Sequence, residues 1–167
     1  MIEQRSIELL APAKNLECGI EAVNHGADAV YIGASRFGAR ASAGNSVEDI
    51  ACLVEYAHRF RVRVYVTINT ILRDEELEET EKLIWSLYRV GVDALIVQDM
   101  ALLKLNLPPI PLHASTQMDN RTPAKVKWLA ELGFEQVVLA RELSVQEIEE
   151  IHRTTSVPLE AFVHGAL

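Results

Sequence analysis

Three polar or aromatic triplets repeat at a spacing of two residues: His113, Ser115, Gln117; Glu160, Phe162, His164; and Tyr65, Thr67, Asn69, the last alternating with apolar Val64, Val66 and Ile68. Alternate residues of a β-strand share a face, so each triplet would point to one side of a sheet while its neighbours point to the other. Glu8, Gln98 or Asp99, and Arg141 lie near the ends of further apolar runs and extend the set towards a ring. A carboxylate with two histidines suits general acid–base work on a water, with or without a metal, and Arg141 or Asn69 would steady a developing oxyanion. The catalytic candidates are thus Glu160, His164, His113, Arg141 and Asn69, and the substrate-binding candidates are Ser115, Gln117, Gln98 and Arg40. Ser115 and His113 share a strand face, but a serine–histidine pair also needs an orienting acid within hydrogen-bond reach, which spacing alone does not supply, so Ser115 is not favoured as a nucleophile. Structural readings stand beside these: Tyr65 and Phe162 suit a core, Glu8 suits a structural ion pair, and Arg36 and Arg40 are either anion-binding or solvated. The acidic run from Asp74 to Glu81 fills the first turns of a helix, where the dipole favours negative charge.

The elements that would carry these residues alternate regularly. Apolar runs at Ile7 to Ala11, Gly26 to Gly33, Val62 to Asn69, Gly91 to Gln98, Pro111 to Ser115, Gly133 to Ala140 and Pro158 to Val163 read as strands. Between them, helical spacing appears at Leu16 to His25, Val47 to Phe60, Glu75 to Val90, Met100 to Leu105, Pro123 to Leu132 and Val145 to Arg153. Ser46, Asp74, Thr122 before Pro123, and Ser144 before Glu147 are the candidate starts. Three segments, GADAVYIG, GVDALIVQ and GFEQVVLA, share a glycine, an acidic residue and a buried strand. Strands apolar on both faces and separated by helices require a parallel sheet covered by helices. No glycine-rich nucleotide loop follows the first strand, which favours an α/β fold of the TIM type, a parallel (β/α) barrel. A closed barrel takes eight strands and about 250 residues, so residues 1–167 read as an incomplete barrel domain, truncated after strand seven. Its open edge would favour pairing with another strand, including one from a second copy.

Composition narrows the function classes. Apolar residues are 49% and charged residues 24% of the 167, the mixture of a folded globular domain. Sixteen basic against 24 acidic residues give a net charge of −8, which repels polyanions unless cations gather locally. No apolar stretch approaches the ~18 residues of a membrane span and no secretory leader opens the chain, so no membrane partner and a cytoplasmic location are expected. Cys18 and Cys52 fall on apolar helical stripes and read as core thiols. An aldolase-type barrel would want a lysine at a strand end, and no strand ends in one.

The segments ELLAPA from Glu8, GADAVYIG from Gly26, FGARAS from Phe37, HASTQ from His113 and EAFVHG from Glu160 together resemble the collagenase-like peptidase family U32, in order and spacing over nearly the whole chain. The resemblance implies peptide-bond hydrolysis of unassigned catalytic type on a protein or peptide substrate. Its alternative implication is an RNA-modifying factor for hydroxylation of a pyrimidine in ribosomal or transfer RNA; a non-catalytic scaffold is the third reading. In the family, cysteines follow the glycine that matches Gly165, and they are the implied ligands of an iron–sulfur cluster or divalent metal. Here the cofactor is unknown and none is expected within residues 1–167, because the cysteine-containing part and the last barrel units lie outside them.

Overall fold

A computed structural model describes residues 7–34 and 44–164. Seven strands alternate with helices: β1 Leu10–Ala13, α1 Leu16–Asn24, β2 Ala29–Gly33, α2 Val47–Arg59, β3 Arg63–Ile68, α3 Leu77–Arg89, β4 Ala94–Val97, β5 Leu112–Ala114, α4 Pro123–Glu131, β6 Gln136–Val138, α5 Val145–Thr154 and β7 Leu159–Glu160. Every neighbouring pair is parallel and the strands lie in sequence order, with β1 and β7 at the two ends. A 3₁₀ turn, Met100–Lys104, stands where a helix would join β4 to β5.

Helix starts follow local chemistry. Asn15 accepts from the Cys18 N–H at 3.0 Å, and Ser46 with Asp49 and Ser144 with Glu147 form reciprocal capping boxes. Thr122 caps α4, whose first residue is Pro123. Asp74 does not cap: it sits inside a 3₁₀ turn, and the Arg73 N–H is instead taken by Glu76 at 2.8 Å.

The thrice-repeated glycine–acid–strand pattern acquires a physical reason. Gly26, Gly91 and Gly133 have φ of +92, +89 and +96°, the left-handed exit from a helix that side chains resist. In the first two repeats the acid that follows then clasps a neighbouring strand at its start. Asp28 accepts from Leu9 N–H at 2.8 Å, and Asp93 accepts from Val64 N–H at 2.7 Å and meets His58 Nε2 at 2.9 Å. These acids hold the N-terminal ends of strands, leaving the C-terminal ends free for a site.

Alternation sorts the two faces. Val64, Val66, Ile68, Leu95, Val97, Val137 and Leu139 pack outward on Leu53, Ile84, Leu87, Leu129 and Ile151 of the helices. Ala29, Tyr65, Ala94 and Ile96 form a separate inner cluster with Leu10 and Tyr31. Gly19 lets α1 meet α2, because a Cβ there would lie 2.7 Å from Leu53 Cδ1.

Three expectations need correction. The first strand begins at Leu10, three residues later than the apolar run suggests, since Leu9 O takes the Asp28 and Ala29 N–H groups and Ile7 is 89% exposed. The last strand is confined to Leu159–Glu160, with Val163 90% exposed. Both cysteines are exposed. On α2 the buried stripe is Ile50, Leu53, Val54 and Ala57, and Cys52 lies ~200° of helical turn from Ile50, on the far side.

Candidate functional site

The inner face ends in a cavity of about 470 Å³ whose walls include Pro12 after β1 has begun, Gly33 of β2, Thr67 of β3, Ser115 after β5, Val138 of β6 and Glu160 of β7. Seven flat strands ~4.8 Å apart would separate the first from the last by ~29 Å. One cavity shared by Pro12 and Glu160 therefore requires the sheet to curl into a half-barrel, and it places the opening at the C-terminal mouth, the usual position for a barrel site.

Glu160 is the carboxyl of this cavity. Its Oε2 accepts from Gln136 Nε2 at 2.8 Å, and burial holds its carboxyl above the ordinary range against the lowering effect of that bond. Gln136 stands on the same inner face of β6, where Val138 is in register with Glu160. Arg141, just beyond β6, lays its guanidinium over the Phe162 ring, 4.3 Å from the centroid, and both line the cavity. Asn69, Gln117 and Lys14 add an amide pair and a second cation to the walls.

Beneath the mouth lies a buried polar layer. His113 is 6% exposed, meets Tyr65 edge to face at 4.8 Å between centroids, and leaves Nδ1 without a hydrogen-bond partner. Burial, with the Arg63 charge behind it, pushes its pKa down to about 4, so the imidazole is neutral at pH 7. The Tyr65 hydroxyl donates to the Glu8 carboxylate at 3.0 Å, and Glu8 pairs with Arg63. Burial raises the Tyr65 phenol despite Arg63. Glu8 is thus a structural carboxylate at the N-terminal end, apart from the mouth.

The structure brings together Glu160, Arg141, Asn69, Ser115 and Gln117. It does not bring the remaining candidates to that cavity. His113 is one layer down, Gln98 is half-buried away from the walls, and His164 is exposed beyond β7 and lines no wall. Arg36 and Arg40 lie outside the described residues. Ser115 Oγ accepts from the Gln117 N–H at 3.2 Å and starts the 3₁₀ turn Thr116–Met118, which makes it a cap. Among the described residues, no three His, Cys, Asp or Glu side chains gather to hold a metal; they supply no ligand set for an iron–sulfur centre.

Four participants escape sequence reasoning. Asn120 is fully buried; its Nδ2 donates to Ser115 O at 2.9 Å and Val138 O at 2.8 Å, fixing two cavity walls to each other. Gln136 shares the parity of Val138, opposite to outward Val137, and that alternation was the available signal. Lys14 enters the walls from the β1–α1 turn, where no periodicity points at it, and Cys18 from the first turn of α1, where its stripe reads as core.

The family model described as peptidase family U32 matches residues 14–167. The 23S rRNA 5-hydroxycytidine C2501 synthase of Escherichia coli K12 is 55% identical over 166 residues, 99% of this chain and 25% of that protein. The tRNA hydroxylation protein P1 of Bacillus subtilis 168 is 38% identical over 164 residues, 96% of this chain and 39% of that protein. This chain therefore spans well under half the length of these curated relatives. The solved U32 peptidase Mk0906 superposes with a TM-score of 0.76 at 16% identity, over 96% of this chain and 70% of its own, a likeness of fold.

Proposed function

This chain belongs to peptidase family U32, and from that premise we propose that it is the base-binding barrel part of an RNA-modifying protein that hydroxylates a pyrimidine, a cytidine of ribosomal RNA. The observation that carries the reading is the 55% identity to the rRNA 5-hydroxycytidine synthase, sustained over 99% of the chain. The geometry supports it. A base modified on its ring must leave the stack and enter a concave site, and a cavity of about 470 Å³ is within the usual range for small-ligand pockets. Phe162 and Arg141 offer planar surfaces against which a base can stack, while Glu160, Asn69 and Gln117 offer hydrogen bonds to its edge. Lys14 and Arg141 gather positive charge at the mouth of a chain whose net charge is −8. Attraction to the wider RNA comes from the rest of the longer protein, as do the ligands of any redox centre.

Peptide hydrolysis draws its support from the family's name. The Ser115 hydroxyl is a cap and His113 lies below the cavity, so the described residues do not assemble a serine–histidine pair.

The test is a strain lacking the gene, with its ribosomal RNA digested to nucleosides and resolved by mass spectrometry. Hydroxycytidine should vanish, return with the wild-type gene and fail to return with Glu160→Ala or Arg141→Ala. Nucleosides that do not change on deletion would end the reading.

A further inference from the structure

The bond between Gln136 and Glu160 limits what the cavity can say to a ligand. Gln136 Nε2 occupies Oε2 of the carboxyl at 2.8 Å, which leaves Oε1 as the oxygen free for a base. A free carboxyl can offer a donor and an acceptor side by side, and so can satisfy either pyrimidine. A carboxyl with one oxygen committed offers a single position. If neutral, its carbonyl-type oxygen accepts from the amide and its hydroxyl must be the other, so the cavity receives a donor. If ionised, the cavity receives an acceptor. Cytosine presents a bare N3, an acceptor, whereas uracil presents N3–H, a donor. A lone donor therefore matches cytosine and collides with uracil.

Resting on the function proposed above, we propose that Gln136 and Glu160 form the element that distinguishes cytosine from uracil, with Glu160 donating to ring N3 and Gln136 acting as the positioning residue that decides which oxygen faces the base. The surroundings favour the neutral carboxyl. Burial is the largest influence on it, Gln136 on β6 is an uncharged partner, and the layer beneath holds un-ionised Tyr65 and neutral His113. Lys14 and Arg141 on the walls act in the opposite sense, and the Cys18 thiol shares the same cavity.

The experiment uses the full-length protein and two short unstructured RNA oligonucleotides that differ only in one central cytidine or uridine among purines, with binding read by fluorescence anisotropy at pH 7. Meeting a donor with a donor should make wild type favour the cytidine strand by about tenfold. Gln136→Leu frees the second oxygen, and the preference should fall to near unity with both affinities retained within a few-fold. Gln136→Arg places a cation on Oε2 and holds Glu160 ionised, and the preference should turn towards uridine. A purely structural role for Gln136 would weaken both strands alike. Glu160→Gln, whose amide can turn either edge to the base, supplies a second variant with the same expected loss of preference. Wild-type ratios in the Gln136 and Glu160 variants, or no wild-type preference although rRNA hydroxylation depends on the gene, would overturn this inference and leave the function standing. Hydroxylation independent of the gene would overturn the function itself.

Discussion

Replacing Asn120 with alanine tests the idea that one amide fastens the mouth together. Its Nδ2 donates to Ser115 O at 2.9 Å and Val138 O at 2.8 Å, from a side chain with no exposed surface. Both partners are carbonyl oxygens, so the amide can face them only through its nitrogen. Each bond contributes about 1 kcal/mol; Ser115 O keeps the Met118 N–H at 3.0 Å, but Val138 O is left dry and adds a further penalty, for a gross cost of about 3 kcal/mol. Asn120 Oδ1 is itself buried without a partner, and removing it returns about 1 kcal/mol. The net expectation is a loss of about 2 kcal/mol, or a melting temperature lower by about 4–8 °C for a domain of this size. Urea denaturation followed by circular dichroism measures it, as a lower midpoint with an unchanged slope. Asn120→Asp keeps the shape but aims an acceptor at two acceptors, so it should cost more than alanine. A loss under about 0.5 kcal/mol for alanine, or an aspartate milder than alanine, would refute the stapling argument.

Further outcomes follow from single residues. His113 has a folded pKa of about 4 against an ordinary 6.5, so the unfolded chain binds the proton more readily and stability should fall by about 3 kcal/mol as pH drops from 6.5 to 4. Stability measured against pH should lose that slope in His113→Phe, and superimposable curves would show that the imidazole is not buried neutral. Glu160, with its pKa raised, contributes the reverse slope: its stabilisation is full below the ordinary carboxyl pKa and is lost as pH rises through the folded one, so Glu160→Gln should steepen the net rise of stability with pH there. Cys18 and Cys52 should both react with Ellman's reagent in the native protein without denaturant, and a thiol that waits for unfolding would contradict their exposure. Gly19→Ala should cost about 1–3 kcal/mol by forcing a methyl against Leu53, read as a lower urea midpoint.

What the sequence discloses and what it hides divides along physical lines. The parity of strands is legible: Val64, Val66 and Ile68 go outward and Tyr65 and Thr67 go inward because period-two alternation is a covalent property of extended chain. Glu160 and Ser115 reach the mouth by the same rule. Depth along the barrel axis is not legible, because it depends on register between strands. His113 pairs across to Gln136 and Ile96, one layer below the mouth, and so becomes a buried neutral ring. His164 obeys the parity of Glu160, but the strand has already ended and alternation no longer governs it. The cysteines mislead because an apolar residue beside a helical stripe looks like part of it until the helix phase is known. Asn120 reads as one more polar residue in a turn, since nothing in its neighbourhood states that two carbonyls, one just after β5 and one in β6, converge on it.

The order of the sheet carries a further consequence. Each strand bonds only to its predecessor and successor, so every βα unit can settle on the unit made just before it as the polypeptide leaves the ribosome. The mouth obeys a different schedule, for it joins Pro12 of β1 and Lys14 just after it to Glu160 of β7 and Phe162 just beyond it. Completion of the mouth therefore waits until β7 has settled on β6. A ligand held there would act as a clasp between the two ends, and its grip would report on closure of the whole arc.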